Sequence, residues 1–242
     1  MTSYTCDFCR QTLDAADESA LIPLVTAHFE EAHSEYGIGE IAVRNYFAAF
    51  HRLTGGTERL ATIGSVETVR VSPERLDDIL GFFDHDAFAG MPEWAACYCM
   101  YHHLPQEVWE DRTWEENRAD LADRITSGAT TGVLAYSEGK VIGWCNASLR
   151  RELPVRANGT GDDDTVLVTS CFQVAPPYRG HGVAAKLLDA AIEMAKERGC
   201  TAVEGFPNPN ADATNPEAFP GPVALYRSAG FEVEDRHAWL DV

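Results

Sequence analysis

The sequence has 242 residues, 45% of them hydrophobic, and a formal net charge of −19 at pH 7. Such a chain can bury a core, and its acidic surface argues against nucleic acids and anionic membranes as partners. No apolar run approaches the ~20 residues of a membrane helix, and no signal peptide is visible. Seven cysteines are an odd number, and a chain of this length does not need a disulfide framework, so we expect a cytoplasmic protein.

Residues 1–36 contain a Cys-x2-Cys pair followed by a His-x4-His pair: Cys6, Cys9, His28 and His33. Two thiolates and two imidazoles form a tetrahedral set for Zn²⁺. The segment resembles a C2H2 zinc finger, although 18 residues separate Cys9 from His28 where about 12 are usual. We therefore predict a small module held by structural zinc. Two reduced cysteines and two surface histidines, without metal, are the alternative.

This segment has too few basic residues to bind DNA. Residues 1–36 carry one arginine, Arg10, against seven acids, and the predicted helix has no lysine or arginine for phosphates or guanine edges. We interpret it as a structural module or a contact for a protein partner.

Residues 37–62 form the predicted connection, with an amphipathic helix over Ile41–Leu53 and a hinge at Gly55-Gly56. Residues 63–242 form the second predicted domain. It begins with a strand over 66–71 and a helix after Ser72-Pro73, which are good N-cap and first-turn residues. Between residues 84 and 120, aromatic packing around an acceptor pocket competes with a second metal site made by Cys97, Cys99, His102 and His103. A hairpin follows, with strands over 132–136 and 141–148.

The stretch from Val166 to Gly199 organises the rest of the chain. Its first part predicts a β-branched strand that ends at Pro176-Pro177, and its last part predicts a helix with one apolar face. Between them lie residues 179–184, Arg-Gly-His-Gly-Val-Ala. Two glycines allow a ligand to approach the backbone closely, and a helix N-terminus offers free N–H groups to an anion. We predict a pyrophosphate site.

Two designs compete for this segment. Gly180-x-Gly182-x-x-Ala185 fits a dinucleotide fingerprint, with Glu204 19 residues further on, but five residues separate the strand from the first glycine. Arg179-x-x-Gly182-x-Ala184 resembles the acetyl-CoA motif of the GNAT (Gcn5-related) N-acetyltransferases. The downstream order agrees: a strand over 200–206, a short helix ending in Ser-Ala-Gly-Phe231, and a last strand over 232–240.

The resemblance implies the GNAT fold, an α/β (α+β) fold with a mixed central sheet flanked by helices, here preceded by the zinc-finger-like module. It implies transfer of an acetyl group from acetyl-CoA to an amine of a small molecule or a peptide. In this family a tyrosine at the position of Tyr226 lies near the cofactor sulfur, so Tyr226 is the predicted general acid. Glu204 is the best candidate for the base.

The predicted cofactor contacts come from two places. The strand end would pair with pantetheine as an added strand, and the loop and helix start would hold the pyrophosphate. These residues are Phe172, Gln173, Val174, Arg179, Gly180, His181, Gly182, Val183 and Ala184. A non-catalytic CoA-binding module and a dinucleotide-dependent oxidoreductase remain the alternatives.

Overall fold

The computed structural model describes residues 1–109, 111–156, 163–209 and 219–242. The N-terminal part is a hairpin followed by two helices. In chain order these elements are β1 (Thr2–Thr5), β2 (Thr12–Ala15), α1 (Glu18–Ala32) and α2 (Glu40–Arg52).

A mixed seven-stranded sheet forms the larger part of the protein. Its spatial order is β3-β4-β5-β6-β7-β9-β8, and only the β6–β7 pair is parallel. The strands are β3 (Glu67–Arg70), β4 (Gly132–Ser137), β5 (Lys140–Leu149), β6 (Val166–Val174), β7 (Ala202–Gly205), β8 (Glu232–Glu234) and β9 (His237–Asp241). The predicted mixed sheet flanked by helices is confirmed. The largely parallel sheet of a dinucleotide-binding fold is not present among the described residues.

In the described part of the chain, five further helices flank the sheet, and a π-helical turn over Phe82–Asp86 follows the first of them. They are α3 (Leu76–Gly81), α4 (Gln106–Trp109), α5 (Trp114–Ser127), α6 (Val183–Glu197) and α7 (Val223–Ser228). Helix α6 buries its apolar stripe, including Leu187 and Leu188, in the largest core cluster. Gly143 permits this close packing, because a Cβ there would lie 3.0 Å from Val183 Cγ1.

The sequence prediction for the C-terminal end needs correction. The predicted last strand is a hairpin, β8 and β9, because the chain turns at Asp235, whose φ is 50°. The stretch from Phe206 to Pro222 contains five prolines, which predict a long loop, and it lies partly outside the described residues.

The connection after α2 is docked rather than free. The Gly55 N–H donates to the His85 carbonyl at 2.9 Å, and a Cβ at Gly55 would lie 2.7 Å from Asp86 Oδ1. Gly55 is therefore required by close approach of two backbones, not by a hinge. The exposed Phe50 of α2 faces solvent, while Phe47 packs under α1.

Helix α2 joins the two parts of the protein. Val43 and Phe47 complete the core beneath α1, and Ala49 lies in the core cluster of the sheet domain. Arg52 donates to the Tyr98 hydroxyl at 2.6 Å and lies over the Trp114 ring at 4.2 Å. The predicted linker helix thus belongs to both cores. Across the described residues, every helix is too short or too polar to cross a bilayer.

Candidate active site and metal centre

A cleft opens where β6 and β7 stop pairing. β6 continues to Val174, but its pairing with β7 ends at Thr169 and Gly205. The end of β6, the loop after it, the start of α6, and α7 with the residues just before it enclose a cavity of about 460 Å³. Eight of the nine residues predicted to contact the cofactor line it, all except His181.

The start of α6 presents unpaired backbone N–H groups to this cleft. Gly180 and Gly182 both have φ of 76°, the left-handed conformation that glycine adopts at no steric cost. The first N–H of α6 bonded within the chain is that of Lys186, which donates to the Gly182 carbonyl. Among the described residues, no acceptor pairs with the N–H groups from Gly180 to Ala185. This geometry suits a phosphate or diphosphate.

Two side chains of the loop before α6 form hydrogen bonds with backbone carbonyls of the chain itself. Arg179 Nε donates to the Val174 carbonyl at 2.9 Å, and burial lowers the pKa of its guanidinium. His181 Nε2 lies 2.9 Å from the Leu60 carbonyl, so this nitrogen carries the donated proton. Both side chains therefore fix the loop in shape.

The strand edge predicted for pantetheine is partly engaged within the chain. The Phe172 N–H donates to the Phe219 carbonyl at 2.6 Å. The Val174 carbonyl accepts from Arg179 as described above. A ligand pairing with Phe172 would have to take the place of Phe219.

Tyr226 lies beneath the floor of the cleft rather than in its lining. Its side chain is fully buried, and its hydroxyl lies 2.9 Å from the Pro220 carbonyl and 3.2 Å from Thr169 Oγ1. The ring covers the backbone of Gly205, where a Cβ would lie 2.1 Å from Cε1 of Tyr226. Tyr226 thus lies at the point where β6 and β7 separate, with its hydroxyl bonded to the chain.

Glu204 lies in a buried ion pair. Its Oε2 accepts from Arg150 Nη2 at 2.7 Å and from Nε at 3.0 Å, and its Oε1 lies 2.7 Å from His237 Nε2. The side chains of Arg150 and Glu204 are 0% and 2% exposed. Both carboxylate oxygens are therefore engaged, which is the environment of a structural partner. A general base needs a carboxylate oxygen that can accept the substrate proton, and in this structure both oxygens of Glu204 already have partners.

Residues 93–231 match the family model described as "Acetyltransferase (GNAT) family", which spans more than half of the chain. The chain belongs to the GNAT acetyltransferase family.

Individual relatives of this GNAT protein are distant. It is 25% identical over 133 residues to an aminoglycoside N(6')-acetyltransferase type 1 of Salmonella typhimurium, over 55% of this chain and 83% of that protein. The solved PaiA N-acetyltransferase of Thermoplasma acidophilum, in complex with coenzyme A, matches at 14% identity and TM-score 0.47, over 74% of this chain and 99% of that one. The aminoglycoside acetyltransferase AAC(6')-Ib, in complex with coenzyme A, matches at 15% identity and TM-score 0.47, over 73% and 95%.

Aromatic side chains of this GNAT domain form one wall beside the cleft. The Phe219 ring lies 5.8 Å from that of Trp94 and 6.4 Å from that of His102. Sequence analysis gave Phe219 no role, because it stands in a proline-rich loop without periodicity. Arg59 was also missed, since its segment looked like a linker; its guanidinium lies beside Gly180.

The alternative of a second metal site near Cys97 finds no support in the described residues. Cys99 Sγ accepts from Trp144 Nε1 at 3.3 Å, and His103 Nε2 lies 2.7 Å from the Asn146 amide nitrogen. Burial lowers the pKa of His103 to about 4, so the ring is neutral near pH 7. These side chains are packed in the core as structural groups.

The four predicted metal ligands do converge. One ligand atom from each of Cys6, Cys9, His28 and His33 lies within 4.8 Å of every other. Cys6 Sγ lies 3.4 Å from His33 Nε2, and Cys9 Sγ lies 3.5 Å from His28 Nε2. A tetrahedron with Zn–S of about 2.3 Å and Zn–N of about 2.0–2.1 Å has S···N edges of about 3.6 Å. The residues present therefore fit zinc.

Local structure explains how the two histidines meet. Five residues of α-helix rotate a side chain far from its starting face, because one turn takes 3.6 residues. Helix α1 ends at Ala32, and His33 has φ −142° and ψ 36°, outside the helical region. This bend brings the ring centroids of His28 and His33 to 5.1 Å. The spacing of the two histidines predicts that they lie over one another in the last turns of one helix, and this prediction is wrong: they meet through a helix end followed by a turn.

Proposed function

We propose that this GNAT protein is an N-acetyltransferase that moves an acetyl group from acetyl-CoA to an amine. The observation that supports it best is the row of unpaired N–H groups from Gly180 to Ala185 at the edge of an open cleft. They would hold the diphosphate, and pantetheine would run along the end of β6. There it would replace the contact between the Phe172 N–H and Phe219, and that N–H would then be available to the thioester oxygen.

In this reaction the amine nitrogen attacks the thioester carbonyl carbon and the C–S bond breaks. The coenzyme leaves as a thiolate and takes up a proton, while the nitrogen loses one. Asp189, which lines the cleft, and the net charge of −19 favour a cationic amine as acceptor. The similarity to an aminoglycoside N(6')-acetyltransferase supports an aminoglycoside amine as the first acceptor to test, ahead of a peptide amine.

Calorimetry with acetyl-CoA, followed by an acceptor screen, tests the proposal. The wild-type protein should bind acetyl-CoA, and Gly182→Val should weaken binding at least tenfold, because valine resists a φ of 76° and the loop would shift. Gly128→Val is the matched control: Gly128 has φ of 75° and equally open surroundings at the end of α5, away from the cleft. Equal loss of binding in both variants, or no binding by the wild type, would contradict the proposal.

Tyr226 is the proposed general acid for the departing sulfur. Support comes from its position where β6 and β7 separate, and the role requires its hydroxyl to exchange the Pro220 carbonyl for the thiolate. Tyr226→Phe should lower kcat about 100- to 1,000-fold with little change in KM, since a general acid acts in the transition state. Steady-state kinetics checks this, with Tyr178→Phe in the cleft lining as control. A kcat within threefold of wild type, with lower thermal stability, would indicate a packing role instead.

A non-catalytic CoA-binding module is the second candidate. Both groups that the chemistry would need donate hydrogen bonds within the chain, which favours this function. The Phe172 N–H donates to the Phe219 carbonyl, and the Tyr226 hydroxyl donates to the Pro220 carbonyl. Tight binding of acetyl-CoA without turnover on aminoglycoside, polyamine and peptide amines would favour this function.

We propose in addition that residues 1–36 bind one structural Zn²⁺ through Cys6, Cys9, His28 and His33. The support is the tetrahedral spacing of the four donors and the burial of Cys6, His28 and His33. When bound, the metal would supply folding free energy to a module whose own apolar core is small. A protein partner for this module stays a prediction.

A further inference from the structure

We propose that Arg59, from the segment that follows α2, is a phosphate-binding residue of the coenzyme site. The inference rests on the proposed function, and it assigns to the N-terminal part of the chain a direct role in holding the coenzyme. The ligand chemistry is a phosphate ester or a diphosphate.

The backbone next to Arg59 is hydrogen-bonded to the loop between β6 and α6, residues 175–182. The Leu60 N–H donates to the Pro177 carbonyl at 2.9 Å, and the Leu60 carbonyl accepts from His181 Nε2 at 2.9 Å. These two bonds hold the peptide groups on both sides of Leu60 against the loop before α6. Gly56 also packs on this turn, since a Cβ there would lie 3.4 Å from the Pro177 ring. The position of the Arg59 backbone is therefore determined by the loop itself.

The guanidinium of Arg59 lies beside Gly180, the residue that the phosphate would approach. A Cβ at Gly180 would be 3.3 Å from Arg59 Cζ, 3.4 Å from Nη1 and 3.5 Å from Nε. Gly180 lines the cleft, and its N–H is one of the unpaired groups described above. A side chain at position 180 would crowd the guanidinium, so glycine here admits Arg59 as well as the ligand.

The two other basic side chains of this turn each use one nitrogen for a bond within the chain. Arg179, the arginine of the motif, directs Nε to the Val174 carbonyl, and His181 is engaged with Leu60. Arg59 is exposed, and within the described ranges no carboxylate forms an ion pair with it. In a chain with 38 acidic and 19 basic residues, an unneutralised arginine beside a row of free N–H groups is suited to an anion.

Calorimetry on the full chain tests this with coenzyme A and dephospho-coenzyme A. Arg59→Ala should raise the Kd for coenzyme A about tenfold, as expected for a charged hydrogen bond, and should flatten its dependence on salt. Arg59→Lys should recover part of the affinity. The control is Arg44→Ala, an exposed arginine of α2 paired with Glu40, which should change the Kd less than twofold.

The two coenzymes identify the phosphate. An equal loss with dephospho-coenzyme A assigns the contact to the diphosphate, and a loss seen only with coenzyme A assigns it to the 3′-phosphate; both outcomes support the proposal. A Kd of Arg59→Ala within twofold of wild type, with wild-type binding intact, overturns this inference and leaves the proposed function standing. No binding by the wild type overturns both.

Discussion

Replacing Cys6 by serine should remove zinc from the protein and unfold residues 1–36. Metal analysis should find about one zinc per wild-type chain and none in the variant. The loss is large because structural zinc contributes on the order of 10 to 16 kcal/mol to the folding of such modules. The module has little else: its core consists of a few side chains of α1, with Val43 and Phe47 of α2 closing one side.

Hydrogen exchange locates the effect. Amides of α1 should lose protection in Cys6→Ser and in chelated wild-type protein, while amides of α6, which lie in a separate core, should keep it. Cys97→Ser is the matched control, because this thiol packs against a different core cluster, is not one of the four converging ligands and should leave zinc content unchanged. Zinc-free wild-type protein with full protection in α1 would contradict a metal-dependent module.

Local signals were enough to predict much of the fold. The helix over 183–197 follows from the spacing of its apolar residues, and the β4–β5 hairpin from the turn at Glu138-Gly139, both of which have positive φ. Helix α5 also begins at a local signal, because Thr113 forms a full capping box with Glu116. Each of these features is decided within a few residues of sequence.

Contacts between distant segments were not predictable in this way. Glu204 looked like a candidate base because it ends a strand, but the sheet register brings Arg150 to it across 54 positions. Arg59 reaches the loop before α6 through contacts between residues 121 positions apart, such as that of His181 with Leu60. Phe219 bonds to Phe172 from a loop without periodicity. Hydrophobic period and motif spacing carry no information on such pairs.

The ion pair between Arg150 and Glu204 leads to the second large effect. Arg150→Met should lower the free energy of unfolding by about 3 to 5 kcal/mol, since it leaves the Glu204 carboxylate buried without its cation. His237 lies against the other oxygen, but its ring is partly exposed and cannot replace a buried guanidinium that donates two hydrogen bonds to Oε2. Urea unfolding measures the change.

A neighbouring arginine is the control for this measurement. Arg151 pairs with Asp164 on the surface, with side chains 49% and 66% exposed, so Arg151→Met should cost less than about 1 kcal/mol. The double variant Arg150→Met with Glu204→Leu should recover much of the stability lost by Arg150→Met, because removing both partners leaves no buried charge. Similar losses in Arg150→Met and Arg151→Met would contradict the buried pair.

The variant Glu204→Gln tests the role of Glu204 in the reaction. Transfer activity that survives in the folded variant assigns Glu204 a structural role, whereas a loss of kcat at unchanged KM would support Glu204 as the general base.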